Sequence, residues 1–91
     1  MKIGFYATLR PLVGAKTVEV ALPQDATVRE LLDHLIERWP ALRGALLDAD
    51  GALSGRVHVF VNGRSARFLD GAQTRLAPDA EIDIIPAVAG G

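Results

Sequence analysis

The group in this sequence best placed for chemistry is the α-carboxylate of its last residue, Gly91, which follows a second glycine, Gly90. Neither residue has a Cβ, so the backbone leading to this carboxylate is slender and can approach another protein closely. A functional interpretation of this pattern is a slender, flexible segment that carries the Gly91 carboxylate into a narrow channel of another protein. The alternative interpretation is a frayed terminus without a function.

The side chains offer no competing reactive site. The sequence contains no cysteine, which excludes disulfides, thiolate metal sites and a thiol nucleophile. His34 and His58 lack further ligands at metal-binding spacing, so we expect no metal site. Ser54 and Ser65 lack the glycine elbow and the acid–histidine pair of a catalytic serine. The terminal carboxylate therefore remains the main candidate.

Length and charge limit what else the chain can be. Its 91 residues suit one domain, and ten Lys and Arg against eleven Asp and Glu give a net charge of −1. Nucleic-acid-binding domains usually carry a basic excess, so we expect no nucleic-acid partner. No apolar stretch approaches the roughly 20 residues that cross a bilayer, and the first residues lack the features of a signal peptide. We expect a cytoplasmic protein that has no membrane partner. We also expect it to be monomeric when free.

Two alternating segments open the chain. From Lys2 to Leu9 apolar residues alternate with polar or small ones, and the same period of two recurs from Lys16 to Leu22. Pro11 and Gly14 between them are typical of a turn. The pattern predicts an antiparallel hairpin of two half-buried strands.

A helical period follows Pro23. Apolar residues recur at spacings of three and four from Val28 to Trp39, which predicts an amphipathic helix. Thr27 and Glu30 fit the capping box at its start, in which each side chain satisfies a backbone N–H of the first turn. Pro40 prevents the helix from continuing.

The second half of the chain predicts further strands. Arg56 to Asn62 alternates in the manner of a strand, and Asn62-Gly63 is typical of a type I′ hairpin turn, which needs positive φ at both positions. A brief extended piece around 66–68 and a final strand from Glu81 to Pro86 complete the pattern.

The order of these elements indicates the fold class. One main helix packed on one face of a mixed sheet of four or five strands is an α+β arrangement, and at this length it corresponds to a ubiquitin-like β-grasp. We expect the β-grasp domain to span residues 1–86. Residues 87–91, called the tail below, are predicted to be flexible and to end in the diglycine.

Four short segments carry a family resemblance. They are Phe5-Tyr6-Ala7-Thr8-Leu9-Arg10, Phe60-Val61-Asn62-Gly63, Arg67-Phe68-Leu69-Asp70-Gly71 and Pro86-Ala87-Val88-Ala89-Gly90-Gly91. In order and spacing the set resembles the MoaD/ThiS family of ubiquitin-like sulfur-carrier proteins over essentially the whole chain. The ending is most similar to that of the CysO-like carriers of cysteine biosynthesis, and MoaD-like carriers share the fold and the diglycine. Pro11 departs from the acidic residue common in the family after the Leu-Arg pair.

The resemblance implies a sulfur-carrying function. In such proteins an E1-like enzyme uses ATP and magnesium to adenylate the terminal carboxylate, here that of Gly91. A sulfurtransferase or cysteine desulfurase supplies the sulfur that replaces AMP, and a sulfur-accepting synthase of molybdopterin or cysteine biosynthesis consumes the resulting thiocarboxylate. The chain itself would bind no cofactor and would be a carrier, not an enzyme. Two alternatives stay open: a ubiquitin-like modifier joined through Gly91 to target lysines, and a non-conjugating β-grasp interaction domain.

The face of the sheet away from the helix, called the outer face below, offers a docking surface for such a partner. If the apolar strand residues face the helix, Tyr6, Phe60 and Ile85 point away from it on neighbouring strands. Docking patches are enriched in aromatic residues, although scattered apolar surface residues are the alternative. We predict that the activating enzyme contacts these three residues together with the tail and its base, namely Pro86, Ala87, Val88 and Ala89.

The second half of the chain is also rich in arginine. We interpret Arg56, Arg64, Arg67 and Arg75 chiefly as solvated surface charges. The alternative is that some of them contact an acidic patch on a partner.

Overall fold

Five strands form one mixed sheet in the computed structural model, which describes residues 1–87. The strands are β1 (Lys2–Phe5), β2 (Thr17–Glu19), β3 (Val57–Val61), β4 (Arg64–Ser65) and β5 (Glu81–Pro86). They lie in the order β2-β1-β5-β3-β4, in which β1 and β5 are parallel and the other neighbours are antiparallel. The predicted α+β architecture is confirmed, with five strands.

Helical structure lies between the strands. The helices are α1 (Arg10–Val13), α2 (Val28–Arg38) and α3 (Arg43–Leu46), and short 3₁₀ turns cover Ala7–Leu9, Pro40–Leu42, Ala66–Phe68 and Gly71–Gln73. The capping box at the start of α2 is confirmed: the Glu30 amide donates to Thr27 Oγ1 at 3.2 Å, and the Thr27 amide donates to Glu30 Oε1 at 3.1 Å. None of the helices described over residues 1–87 is long and apolar enough to cross a membrane.

The core lies between α2 and one face of the sheet. The strand register aligns two rows of buried side chains across β1, β5 and β3: Ile3 with Ile82 and Val61, and Phe5 with Ile84 and Val59. Leu31, Leu32 and Leu35 of α2 are fully buried in the same cluster. Because side chains alternate along a strand, the residues between these rows lie on the outer face.

The first two strands are shorter than predicted. β1 ends at Phe5 because Ala7 takes a left-handed conformation, with φ of 51°, and the chain continues into a 3₁₀ turn and α1. Pro11 lies in the first turn of α1, where its missing N–H costs nothing, and Gly14 ends that helix at φ of 82°. The predicted turn is therefore a helical connection, and β2 forms only in the first half of the predicted segment 16–22.

The region after β3 holds one confirmed prediction and one error. Asn62 and Gly63 have φ of 51° and 84°, which confirms the predicted hairpin turn with two positive φ values. The extended piece predicted around 66–68 is instead a 3₁₀ turn, whose amide at Arg67 donates to Ser65 Oγ at 3.3 Å. A serine that binds the backbone two residues later favours a turn over a strand.

Candidate functional site

The strand that leads to the tail lies at the centre of the sheet. β5 lies between β1 and β3, and its last residue, Pro86, is half-buried opposite Val57. The Ala87 amide donates to the carbonyl oxygen of Arg56 at 2.7 Å, so the ladder continues one residue past the strand. The predicted site residues Val88, Ala89, Gly90 and Gly91 lie outside the described residues. Two flanking strands thus fix the point from which any tail must start.

The three predicted docking residues lie just after β1, on β5 and on β3, which are neighbouring strands. Ile85 of β5 lies opposite His58 of β3, and Tyr6 follows β1 beside the same end of β5. Phe60 lies one step back, opposite Asp83. Tyr6 is 38% exposed, whereas Phe60 and Ile85 are half-buried. The structure therefore brings the three residues onto one face and places Asp83 between Tyr6 and Phe60.

Asp83 gives this face a polar centre, which sequence reasoning missed. The Tyr6 hydroxyl donates to Asp83 Oδ1 at 3.0 Å, and this bond together with the nearby negative charge raises the pKa of Tyr6. The Arg10 guanidinium lies 5.4 Å from the centre of the Tyr6 ring, and its Nε donates to the carbonyl of Phe5 at 2.9 Å. Arg10 thus holds the end of β1 and the tyrosine ring together.

Gly4 makes room for this arrangement. It pairs with Asp83 across β1 and β5, and a Cβ at this position would lie 2.6 Å from Asp83 Oδ1. Glycine inside a strand often marks a close approach, so the signal was present in the sequence. Gly4 and Tyr6 also line a shallow cavity of about 400 Å³ on the outer face, which Lys2 and Lys16 border.

His58 and Phe60 extend the outer face over β3. Their ring centres are 5.9 Å apart at an angle of 44°. His58 Nδ1 is inaccessible to solvent and has no hydrogen-bond partner among residues 1–87. The two rings therefore lie next to each other on β3, and Nδ1 of His58 is turned away from solvent.

A second exposed apolar pair lies beyond the central strands. Phe68 is 85% exposed and Leu69 37%, in and just after the 3₁₀ turn that follows β4. These are the most exposed large apolar side chains besides Tyr6 in the described part of the chain. Sequence reasoning missed this pair because it placed residues 66–68 in a strand, where one of every two side chains is buried.

The four arginines of the second half do not form one cluster. The Arg67 Nη2 atom donates to the two backbone carbonyls that flank Arg56, at 3.2 Å each, so these two residues lie together at the base of the tail. Arg64 is on β4 and Arg75 pairs with Thr27 at the start of α2. Over residues 1–87 no group of three or more His, Asp or Glu side chains is arranged to hold a metal ion.

Comparison with known proteins places this geometry in a family. The model of the ThiS family matches residues 3–91. The chain is 36% identical over 91 residues to small archaeal modifier protein 3 of Haloferax volcanii, covering 100% of this chain and 98% of that protein. It is 44% identical over 65 residues to a protein of Archaeoglobus fulgidus named as a sulfur carrier, covering 71% and 74% of the two chains.

A solved structure shares the whole fold. The crystal structure of the BexX/CysO complex of Amycolatopsis orientalis contains a chain with a TM-score of 0.84 and 31% identity, and the match covers 99% of this chain and 98% of that chain. The β-grasp arrangement and the ubiquitin-like fold class are thereby confirmed.

Proposed function

The chain belongs to the ThiS family of small sulfur carriers and ubiquitin-like modifiers, and from this premise we propose that it carries sulfur as a thiocarboxylate on Gly91. The observation that carries the proposal is the family match, which extends through Gly91 and therefore includes the diglycine. The fold supports it, because β5 starts the tail from the centre of the sheet.

The chemistry requires activation of the carboxylate. A free carboxylate is a poor electrophile, so an E1-like enzyme binds ATP and magnesium and lets a carboxylate oxygen of Gly91 attack the α-phosphate, releasing pyrophosphate. Sulfur from a persulfide of a sulfurtransferase or cysteine desulfurase then displaces AMP. A thiol reductant supplies the electron pair that releases the persulfide sulfur as a thiocarboxylate.

The amino-acid composition restricts where the sulfur can reside. The sequence has no cysteine side chain to hold a persulfide, which favours the main-chain carboxyl of Gly91 as the attachment point in this proposal. The chain acts as a substrate and donor for other enzymes, not as a catalyst. A sulfur-accepting synthase, of molybdopterin or cysteine biosynthesis, takes the sulfur in the cytoplasm.

The outer face supplies the docking contact in this proposal. Tyr6, Phe60 and Ile85 contact the activating enzyme, and Pro86 to Ala89 lead Gly91 into its active site. Aromatic side chains are enriched in protein interfaces, and they flank the polar Asp83 on this face. The hydrogen bond between Tyr6 and Asp83 holds one of the aromatic residues in a single orientation before docking.

A second function is supported by the match to a small archaeal modifier protein. In that case the adenylated Gly91 carboxylate forms an isopeptide bond with a lysine of a target protein. Both functions use the same activation step, and they differ in the nucleophile that displaces AMP. A third possibility, a β-grasp interaction domain that is never activated, would make the tail dispensable.

Intact mass spectrometry separates these functions. The protein is purified from its own cells with and without the activating enzyme, alongside a variant that lacks Gly91. A mass gain equal to exchange of one oxygen for sulfur, absent from both controls, is expected for the carrier. Adducts of the chain on other proteins would identify the modifier. If neither product forms and deletion of Gly90 and Gly91 has no phenotype, activation of the carboxylate is contradicted altogether. The same mass measurements verify that Gly91 is the terminal residue.

A further inference from the structure

Three arginines lie near the base of the tail. Arg56, whose carbonyl accepts the Ala87 amide at 2.7 Å, precedes β3. Arg67 donates to the carbonyls of Gly55 and Val57 at 3.2 Å each, on either side of Arg56. Arg43 of α3 lines a cavity of about 340 Å³ together with Arg56. All three arginines are exposed, and we call them the arginine collar.

The collar is not neutralised by its surroundings. Both ion pairs found within residues 1–87, Met1 with Glu19 and Arg29 with Asp33, lie elsewhere. Asp48 borders the cavity of Arg43 and Arg56 but forms no ion pair with either in that part of the chain. In a protein of net charge −1 this is a local excess of positive charge.

We propose that the collar docks against carboxylates on the surface of the activating enzyme, at the mouth of the site that receives the tail. The proposal rests on the proposed function and specifies the partner chemistry at the tail's base. The planar guanidinium of arginine fits a carboxylate through two parallel hydrogen bonds, so a rim of Asp or Glu residues is the complementary surface.

Distance favours protein carboxylates over the phosphates of ATP. Gly91 is four residue steps beyond Ala87, a span of up to about 14 Å for an extended chain. The nucleotide reacts at Gly91, so in a threaded complex the collar remains at the entrance while the phosphates lie at the far end of the tail. The second cavity beside Arg56, about 220 Å³ and bordered by Thr8, Gly44 and Ala87, leaves space for acidic side chains from such an entrance.

The collar residues have different parts in this contact. The Arg67 guanidinium donates hydrogen bonds to the backbone on both sides of Arg56, so Arg67 is a positioning residue. Arg43 and Arg56 make no side-chain hydrogen bond within residues 1–87, so their guanidinium groups are free to bind a partner. Charges at the rim of an interface act mainly on the rate of association and on its salt dependence.

A matched pair of double variants tests the proposal. Arg43→Glu/Arg56→Glu reverses the two free collar charges, and Arg64→Glu/Arg75→Glu changes the net charge equally at the opposite end of the molecule. Arg64 pairs with Val61 next to the start of β5, and Arg75 pairs with Thr27 at the start of α2. Five residue steps along β3, from Arg56 to Val61, separate Arg64 from the base of the tail, about 16 Å at roughly 3.3 Å per residue.

The readout is ATP–pyrophosphate exchange by the purified E1-like enzyme of the same genome. The collar variant is expected to raise the KM for the carrier about tenfold or more, with kcat unchanged, and to weaken the dependence of KM on salt. The control variant should stay within about twofold of the wild type. Thermal unfolding verifies folding, and Arg43→Gln/Arg56→Gln replaces the charge reversal if that variant does not fold.

The other possible outcomes contradict different parts of the proposal. If the wild type is adenylated and the collar and control variants behave alike, the collar proposal is overturned and the proposed function stands. If the collar variant raises the KM for ATP and not for the carrier, the arginines contact the nucleotide and the protein-carboxylate proposal is wrong. If the wild type is never adenylated, the proposed function is wrong, and the collar proposal falls with it.

Discussion

The hydroxyl of Tyr6 donates a hydrogen bond to Oδ1 of Asp83, 3.0 Å away and 77 residues later in the chain. The bond joins the residue that follows β1 to the middle of β5, and it exists because Gly4 leaves space for the carboxylate. It crosses the same outer face on which Phe60 and Ile85 lie. The central polar contact of the proposed docking surface is thus built into the sheet before any partner binds.

The first prediction concerns the titration of Tyr6. Its pKa is raised above the ordinary 10.0 by the hydrogen bond to Asp83 and by the carboxylate charge, with Arg10 acting weakly in the opposite direction. Asp83→Asn should therefore lower the pKa of Tyr6. Tyr6 is the sole tyrosine of the chain, so the ultraviolet absorbance of tyrosinate reports it alone. Asp79→Asn serves as the control, and an equal change in both variants would contradict the assignment.

The same bond predicts a loss of stability in alkaline solution. Because the pKa of Tyr6 is higher in the folded protein than in the unfolded chain, the folded state retains this proton more strongly. The contribution is complete below the unfolded pKa of about 10 and disappears as pH rises through the folded value. Denaturant unfolding of the wild type and Tyr6→Phe should therefore give a stability difference that is constant near neutral pH and changes above about pH 10. A constant difference throughout would show that the bond is absent in solution.

Gly4→Ala should disturb the outer face without unfolding the protein. The new Cβ would lie 2.6 Å from Asp83 Oδ1, and the carboxylate is the end of a side chain that can move away. The expected result is a loss of the raised Tyr6 pKa with a stability change of about 1 kcal/mol or less, the usual value of one hydrogen bond. Gly44→Ala is the control for stability, since its Cβ would meet no atom within 4 Å. A large loss of stability in Gly4→Ala alone would mean that the backbone, not Asp83, is displaced.

Leu35→Ala tests the packing of the only long helix in the described chain. Leu35 is fully buried in the middle of α2, so its truncation should destabilise the protein by about 2–5 kcal/mol in denaturant unfolding. Leu69→Ala is the matched control, because Leu69 is 37% exposed and its truncation should cost clearly less. Equal losses in the two variants would contradict the core described here.

The elements that were predicted from the sequence are those defined by local chemistry. The capping box of Thr27 and Glu30, the turn at Asn62-Gly63 and the strand Glu81–Pro86 all depend on residues that are neighbours in the chain. The errors arose where the alternation of residue types continued past the end of a strand. Ala7 fits an alternating pattern by type, yet its left-handed backbone ends β1.

The candidate site was harder to predict from the sequence, because it depends on contacts between strands. Tyr6, Phe60 and Ile85 were assigned to the outer face because the alternation of residue types along each strand indicates which side chains point away from the helix. Asp83 was missed because its role depends on contacts across the sheet to residues far away in the chain. The contact between Arg67 and the backbone around Arg56 likewise forms only because β4 brings the chain back toward the tail. No local sequence pattern predicts this contact.

The final prediction separates the two exposed apolar surfaces. Phe60 lies on the outer face opposite Asp83, whereas Phe68 is 85% exposed beyond β4. If the outer face binds the activating enzyme, Phe60→Asp should raise the KM for the carrier in ATP–pyrophosphate exchange by about tenfold or more, because replacing an aromatic residue central to an interface usually costs over 1 kcal/mol. Phe68→Asp should leave it nearly unchanged.

Phe60→Ala provides the check on folding, because an aspartate at this position would face Asp83 across the strands and repel it. Both Phe60 variants should retain cooperative unfolding. The KM for the carrier should be highest for Phe60→Asp, intermediate for Phe60→Ala and lowest for the wild type. The opposite pattern, with Phe68→Asp impaired and the Phe60 variants normal, would move the docking surface to the edge of the sheet at β4. In that case Tyr6 and Asp83 would be a structural pair that holds the parallel strands β1 and β5 together, since their bond joins those two strands whether or not a partner covers them.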